Sequence, residues 1–410
     1  MHTTAASLPK LRPVDVRLHR VSGEIFLLLR DPLQLSDKTV LLPQLMGAVL
    51  AYCDGTRTVE QIATAFSLRS GIFLSPDLVN SMLSKLDEAC LLDNERAAEA
   101  RRQALAAYYQ GPCRPSLLAG SGYPDEPEAL HEFLEGYLAQ VPPERREPPA
   151  TGEVVGLLSP HIDYPRGGAV YAQVWQPAAR AVQEADLAIL IGTDHYGDDP
   201  FTLTRQNYAT PYGILPTDQE AVNALAQAIG EEAAFAGELR HRGEHSLELV
   251  AVWLHHMRRR QPCPVIPMLV GSLYRFFTDG ATPEDDPLLN RVLDTLRQVT
   301  AGRRVVVVAS GDMAHVGPAF GGRPLNLATR ARVRAADEEL IQHVAQGDPA
   351  GFFAAIKRVR NSYNVCGVTP IYLTLRLLGR VTGALCGYAS CPADANDQSA
   401  VTICGMLFQR

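Results

Sequence analysis

Three short apolar runs constrain this chain more than anything else in it. GEVVGLLSPHIDYPRGG (152–168) carries a run from Val154 to Leu158 that empties into a loop headed by His161. DLAILIGTDHYG (186–197) repeats the arrangement with His195, and RRVVVVASGDMAHVGP (303–318) repeats it with Asp312 and His315. Such runs, bounded by turn residues and separated by amphipathic helical patterns, are what parallel strands covered on both faces require. Loops converge outside the carboxyl ends of an open parallel sheet, and ligands bind there. Histidines in one topological position therefore predict one shared site.

Neutral imidazole is a common ligand for transition metals and also an acid or base near neutral pH. Asp163, Asp194 and Asp312 lie two, one and three residues from their histidines, within reach to orient a ring. Asp163 also fits a plain turn role. A fourth candidate is Cys366 in YNVCGVTPIYLTLRLL (363–378), just ahead of a helix predicted to start at Pro370. The positive end of a helix favours thiolate, which is both a nucleophile and a soft metal ligand. Cys53, Cys90 and Cys404 are expected to be inert packing residues. RGEHSLELVAVWLHHM (242–257) places Glu244 and Glu248 on one helical side beside His245, but it lacks the HExxH spacing of a zinc-protease helix. Glu244 and Glu248 read as first-turn carboxylates answering the helix dipole, and His255 and His256 as late-helix cations outside the site.

The 410 residues are 46% hydrophobic and 20% charged, enough for a sizeable core and more than one domain. A formal net charge of −7 argues against a nucleic-acid grip, and the RRR at 258–260 reads as a solvated helix end. No apolar run reaches the ~18 residues of a membrane span. The N-terminal segment lacks the apolar core of a secretion signal. Eight cysteines without a CxxC pair read as reduced thiols in a cytoplasm, and their spacing excludes a zinc ribbon.

Residues 1–95 have a different texture. GEIFLLLRD reads as a strand. TRTVEQIATAF (56–66) opens with a capping box, Thr58 to Gln61, and puts Val59, Ile62, Ala63 and Phe66 on one face. SPDLVNSMLSKLDEACLLD (75–93) starts on the cap pair Ser75-Pro76 and lines up Val79, Met82, Leu83, Leu86 and Cys90. Strand, helix and helix predict a small winged-helix-like α+β domain. Residues 96–115 read as a helical connector, and 116–410 as an α/β domain with a central, mostly parallel sheet flanked by helices.

The stretch YCDGTRTVEQIA followed by SPDLVNSMLSKLDEACLLD resembles the PqqD-like fold, whose members recognise peptides or dock on radical-SAM partners. It also fits a plain helical interaction domain. In the larger part, LLAGSGYPDEPEAL (117–130), LLSPHIDYPRGG, LIGTDHYG, EHSLEL, VIPMLVG (265–271), SGDMAHVG, NVCGVTPI and GYAS…DQSAVTICGM (387–406) resemble the Memo family, whose bacterial members are called AmmeMemoRadiSam system protein B. That family is similar in fold to class III extradiol dioxygenases, in which strand-end histidines hold non-haem iron. The resemblance implies that His161, His195 and Cys366 are metal ligands and that His315 is a pocket acid–base group. It puts Asp312, Glu244 and His245 in the remaining signature positions. Gly122 replaces the family's tryptophan, and Asp163 and Asp194 add carboxylates beside the ligands.

The expected activity is a mononuclear oxidoreductase using Fe(II), with copper or zinc as alternatives, on a small molecule or modified peptide. A metal-free peptide-binding module and a metal-dependent hydrolase are the competing readings. The family name implies a radical-SAM enzyme and an AMMECR-type protein as partners.

Overall fold

The computed structural model describes residues 8–21, 23–148, 152–278 and 280–410. It divides into two compact units, one ending at Gly111 and the other spanning Pro112–Arg410. In the first, β1 (Asp15–Val21), β2 (Glu24–Arg30) and β3 (Val40–Pro43) form an antiparallel sheet in that order. The helix Val59–Ser70 opens on the full Thr58/Gln61 capping box, and the helix Pro76–Glu88 opens on the Ser75 hydroxyl with proline at its first position. Ile62, Ala63 and Phe66 from one helix join Val79, Met82 and Leu86 from the other in a core that also takes Leu29 of β2. Cys90, expected on the face of the second helix, lies beyond its end at a φ of 56°. The helix Glu95–Gln110 completes this unit.

The second unit is built on one eight-stranded sheet. Its strands are β4 (Val154–Ser159), β5 (Leu187–Thr193), β6 (Thr202–Leu203), β9 (Val265–Val270), β10 (Val305–Ser310), β11 (His315–Val316), β12 (Thr382–Pro392) and β13 (Ala400–Gln409). The strands β7 (Tyr208–Thr210) and β8 (Gly213–Leu215) form a separate hairpin. The centre of the large sheet, β4-β10-β5-β9, is parallel. Its margins are antiparallel: β13 runs against β4 and pairs along its length with β12, while β6 closes the far side on β9. The mostly parallel character predicted for the sheet therefore holds for the strands that lead into His161, His195 and Asp312, whereas His315 lies on the antiparallel β11.

Period-two alternation sorts the sheet into two cores. Val307 and Ala309 of β10, Ile189 and Ile191 of β5 and Met406 and Phe408 of β13 face one cluster. Val306 and Val308, Ala188 and Leu190, and Leu407 face the other. Helices cover both faces, so each strand of the centre is apolar on both sides, as its sequence requires. Among the described residues no helix is long and apolar enough to cross a membrane.

Candidate metal centre

β10 lies between β4 and β5 and all three run the same way, so their carboxyl ends deliver three loops to one edge. His161 and Asp312 each follow two residues after β4 and β10, and His195 two residues after β5. The thiol arrives from the opposite helical layer, on the loop before the helix Val368–Leu378. Donor atoms of His161, His195 and Cys366 all lie within 4.8 Å of one another, with His161 Nε2 3.1 Å from Cys366 Sγ. The His161 and His195 rings meet edge to face at 5.0 Å, and His245 stacks on His195 at 4.9 Å.

Each imidazole is fixed through its other nitrogen. His195 Nδ1 lies 3.0 Å from Glu244 Oε1, and the His195 backbone N–H donates to Oε2 of the same carboxylate at 3.0 Å. Ser310 Oγ, at the end of β10, gives its proton to the Ser246 carbonyl at 2.6 Å and so can accept from His161 Nδ1 at 3.4 Å. In both rings that arrangement puts the proton on Nδ1 and leaves the Nε2 lone pair for the cavity. Asp312 accepts from the backbone N–H of His161 at 2.8 Å and of Ile162 at 3.3 Å, which pins the first loop. His315 Nδ1 faces the carbonyls of Met313 and Asn364 at 3.2 and 3.1 Å.

The position of the sulfur is set by main chain. Gly367 N–H donates to the Asp312 carbonyl at 3.0 Å, Thr193 Oγ1 donates to the Cys366 carbonyl at 2.9 Å, and Asp312 N–H donates to Sγ at 3.4 Å. A Cβ on Gly311 would stand 2.5 Å from the Gly367 Cα, so only glycine lets the two loops close to this distance.

Electrostatics divide the two histidines. Burial, reinforced by the neighbouring imidazoles His195 and His245, holds His161 well below its ordinary pKa. Burial also lowers His195, but the Glu244 carboxylate and the Cys366 thiol outweigh it and raise that ring well above the usual value. Glu244 shows the complement: burial would raise it, yet His195 and His245 hold it well below the carboxylate range. Burial raises the Cys366 thiol despite its hydrogen bond to His195, so the thiolate expected from the helix dipole is opposed by desolvation.

Two imidazole nitrogens and one sulfur, each ring oriented by a hydrogen bond on its far side, are a donor set that fits a borderline or soft transition ion: iron, copper or zinc.

A family model described as Memo-like protein matches residues 114–407. The chain belongs to that family. A MEMO1 family protein of Aquifex aeolicus is 26% identical over 98% of this chain and 99% of its own length. The MEMO1 family protein of Methanosarcina barkeri is 27% identical, covering 96% of itself but 70% of this chain. That of Thermus thermophilus is 28% identical over 78% of this chain and 90% of its own length. At 98% of this chain, the Aquifex alignment extends over both units.

Several sequence expectations need correction. Asp194 does not orient its histidine: it pairs with Arg240 Nε at 2.6 Å and accepts from Tyr196 N–H at 3.1 Å, and Glu244 takes the orienting role. The plain turn role of Asp163 holds: it caps the helix Tyr164–Glu184 and pairs with Arg166. The helix after Cys366 starts at Val368 rather than Pro370. Glu244 precedes the helix Ser246–Met257 rather than standing in its first turn. Glu248 does stand there, but it is buried against Arg114, accepts from the Leu117 and Leu118 N–H groups at 2.7 Å each, and meets Tyr123 Oη at 2.5 Å. Arg114 then donates to the carbonyls of His241 and Glu244 at 2.8 Å each, joining this ion pair to the site.

Ser310 and Arg114 were missed. Ser310 ends an all-apolar run, and a hydroxyl in that place is the signal that would have exposed it. Arg114 carries no sequence signal of its own, because its partners lie more than a hundred residues away.

Proposed function

We propose that this Memo-family chain is a mononuclear non-haem metal oxidoreductase, with His161, His195 and Cys366 as ligands and iron as the working ion. What carries the reading is the paired orientation of the two rings: Glu244 and Ser310 hold the Nδ1 atoms, and both Nε2 atoms turn toward one sulfur within 4.8 Å. A site built only for packing has no need of that pattern. The ion, when bound, supplies redox chemistry and coordination positions for dioxygen and a small molecule or modified peptide. Around it, Glu244 keeps the proton on His195 Nδ1, and Asp312 holds the His161 loop. His315, with Nδ1 committed to carbonyls, keeps Nε2 as a proton acceptor for substrate.

Anaerobic iron titration followed by optical spectroscopy tests this. One equivalent is expected in the wild-type chain and none in Cys366→Ser or His161→Ala. Iron binding unchanged in both variants would overturn the ligand assignment. Zinc as the sole tightly held metal would favour the hydrolytic reading.

For the first unit we propose a PqqD-like, winged-helix role in presenting a peptide. The outward face of β1, where Val16 and Leu18 are 46% and 69% exposed, supports it. Binding of a peptide substrate by the full chain, lost on Leu18→Asp with metal content unchanged, is the expected result.

A further inference from the structure

The helix Ser246–Met257 has the strand-edge site at its start and a second cluster at its end. His131 and Glu135 are four residues apart on the helix Pro127–Leu138, so both side chains lie on one face. His256 comes to them from the neighbouring helix, and donor atoms of all three lie within 4.8 Å of one another. His256 Nε2 is 3.2 Å from Glu135 Oε1, and its Nδ1 is 3.0 Å from Tyr212 Oη. The His131 and His256 rings are 5.3 Å apart.

We propose that His131, Glu135 and His256 form a second cation site, separate from the strand-edge centre, that takes a zinc-class divalent ion. Two imidazoles and one carboxylate are a set that holds zinc with a position left open for water. The His131 ring packs against His256 while Glu135 reaches the same ring, so two imidazoles and a carboxylate converge from two helices on one small gap. An ion held in that gap would take all three side chains as ligands.

The burial pattern suits entry from solvent. His256 is 6% exposed and anchored by Tyr212, whereas the Glu135 side chain is 52% exposed and His131 is half-buried. The nearby cation, Arg260, is already paired with both oxygens of Glu128 and lies over the Tyr212 ring, so its charge is compensated. Eleven residues of helix separate His245 from His256, roughly 17 Å at the usual rise, which is too far for one ion to serve both clusters. A bound ion would tie the two helices together at their surface ends.

Titration of the full chain with Zn²⁺, read by calorimetry and elemental analysis, tests the site. Wild type is expected to take two equivalents. His131→Ala and Glu135→Gln each remove one of them, with affinity there weakened more than about 100-fold, beyond what losing a supporting partner costs. Cys366→Ser removes the other. Both helix substitutions are on the solvent side, and unchanged circular dichroism will show that the fold persists. A zinc complement unchanged by both His131→Ala and Glu135→Gln would overturn the proposal. A single wild-type equivalent that disappears in His131→Ala would uphold this site and remove the strand-edge one for zinc.

Discussion

The two faces of the Memo-unit sheet are packed from different materials. One is covered by side chains such as Leu225, Val292, Leu293, Leu340 and Phe352, which offer shape and no polar atoms. The other is built on Tyr164, Tyr171, Trp175 and Trp253, and the first three put their polar tips to use, whereas the buried Trp253 Nε1 has no hydrogen-bond partner. Tyr171 Oη donates to the Ile162 carbonyl at 2.9 Å, Trp175 Nε1 to Ser159 Oγ at 3.0 Å, and Tyr164 Oη to the Leu249 carbonyl at 2.7 Å. The first two of those bonds land on either side of His161. On this same face lie the Arg114–Glu248 pair and the His131–Glu135–His256 cluster, and the helix Ser246–Met257 that follows Glu244 and His245 packs there. A sheet that had only to fold would gain nothing from such a face, since buried polar groups cost stability unless every one is matched. The aliphatic side stabilises, and the aromatic side positions.

The sharpest way to break this contrast is to remove Glu248. Glu248→Ala strands the Arg114 charge in a dry interior and should cost about 3–5 kcal/mol, read as a lowered denaturant midpoint, together with loss of metal binding. On the other face Leu293→Ala should cost about 2–5 kcal/mol by cavity formation while the folded protein keeps its metal. Equal loss of metal in both variants would erase the division of labour.

The aliphatic face holds one test of its own in Asp337, which is buried and bonded by Tyr388 Oη at 2.7 Å. Burial raises this carboxyl to about 6, above its ordinary 3.8, so the folded state favours the protonated form. Its contribution is intact below pH 4 and is lost as pH rises toward 6. Over that interval wild type should lose up to about 3 kcal/mol that Asp337→Asn does not lose, measured by urea unfolding across pH. The smallest effect belongs to Glu244→Gln. With the His195 ring no longer held by a carboxylate, metal affinity should fall about 10–100-fold, and stability should change far less than in Glu248→Ala.

How legible this was in the sequence varied with the range of the interaction. The parallel centre could be read because Val154–Leu158 and its counterparts signal their burial locally, and the histidines inherit their placement from strand direction. Capping at Thr58 and Ser75 was legible for the same reason, since donor and acceptor are three residues apart. Asp194 was misjudged because its neighbour in sequence, His195, is not its partner in space: Arg240 claims the carboxylate from 46 residues away. Glu248 looked like a dipole-answering surface residue, and nothing near it announces Arg114. The contact of His131 with His256 joins two helices far apart in the chain, so the late-helix histidines looked like ordinary helix-end cations.

The contact between Gly311 and Gly367 has a chemical consequence. The loop at 366 is held by the Asp312 carbonyl on the Gly367 N–H and by the Thr193 hydroxyl on the Cys366 carbonyl, and neither bond uses the side chain at 366. Residue 366 therefore displays its side chain from a fixed mount. A substitution there would change the chemistry that the cavity presents without rebuilding the scaffold around it.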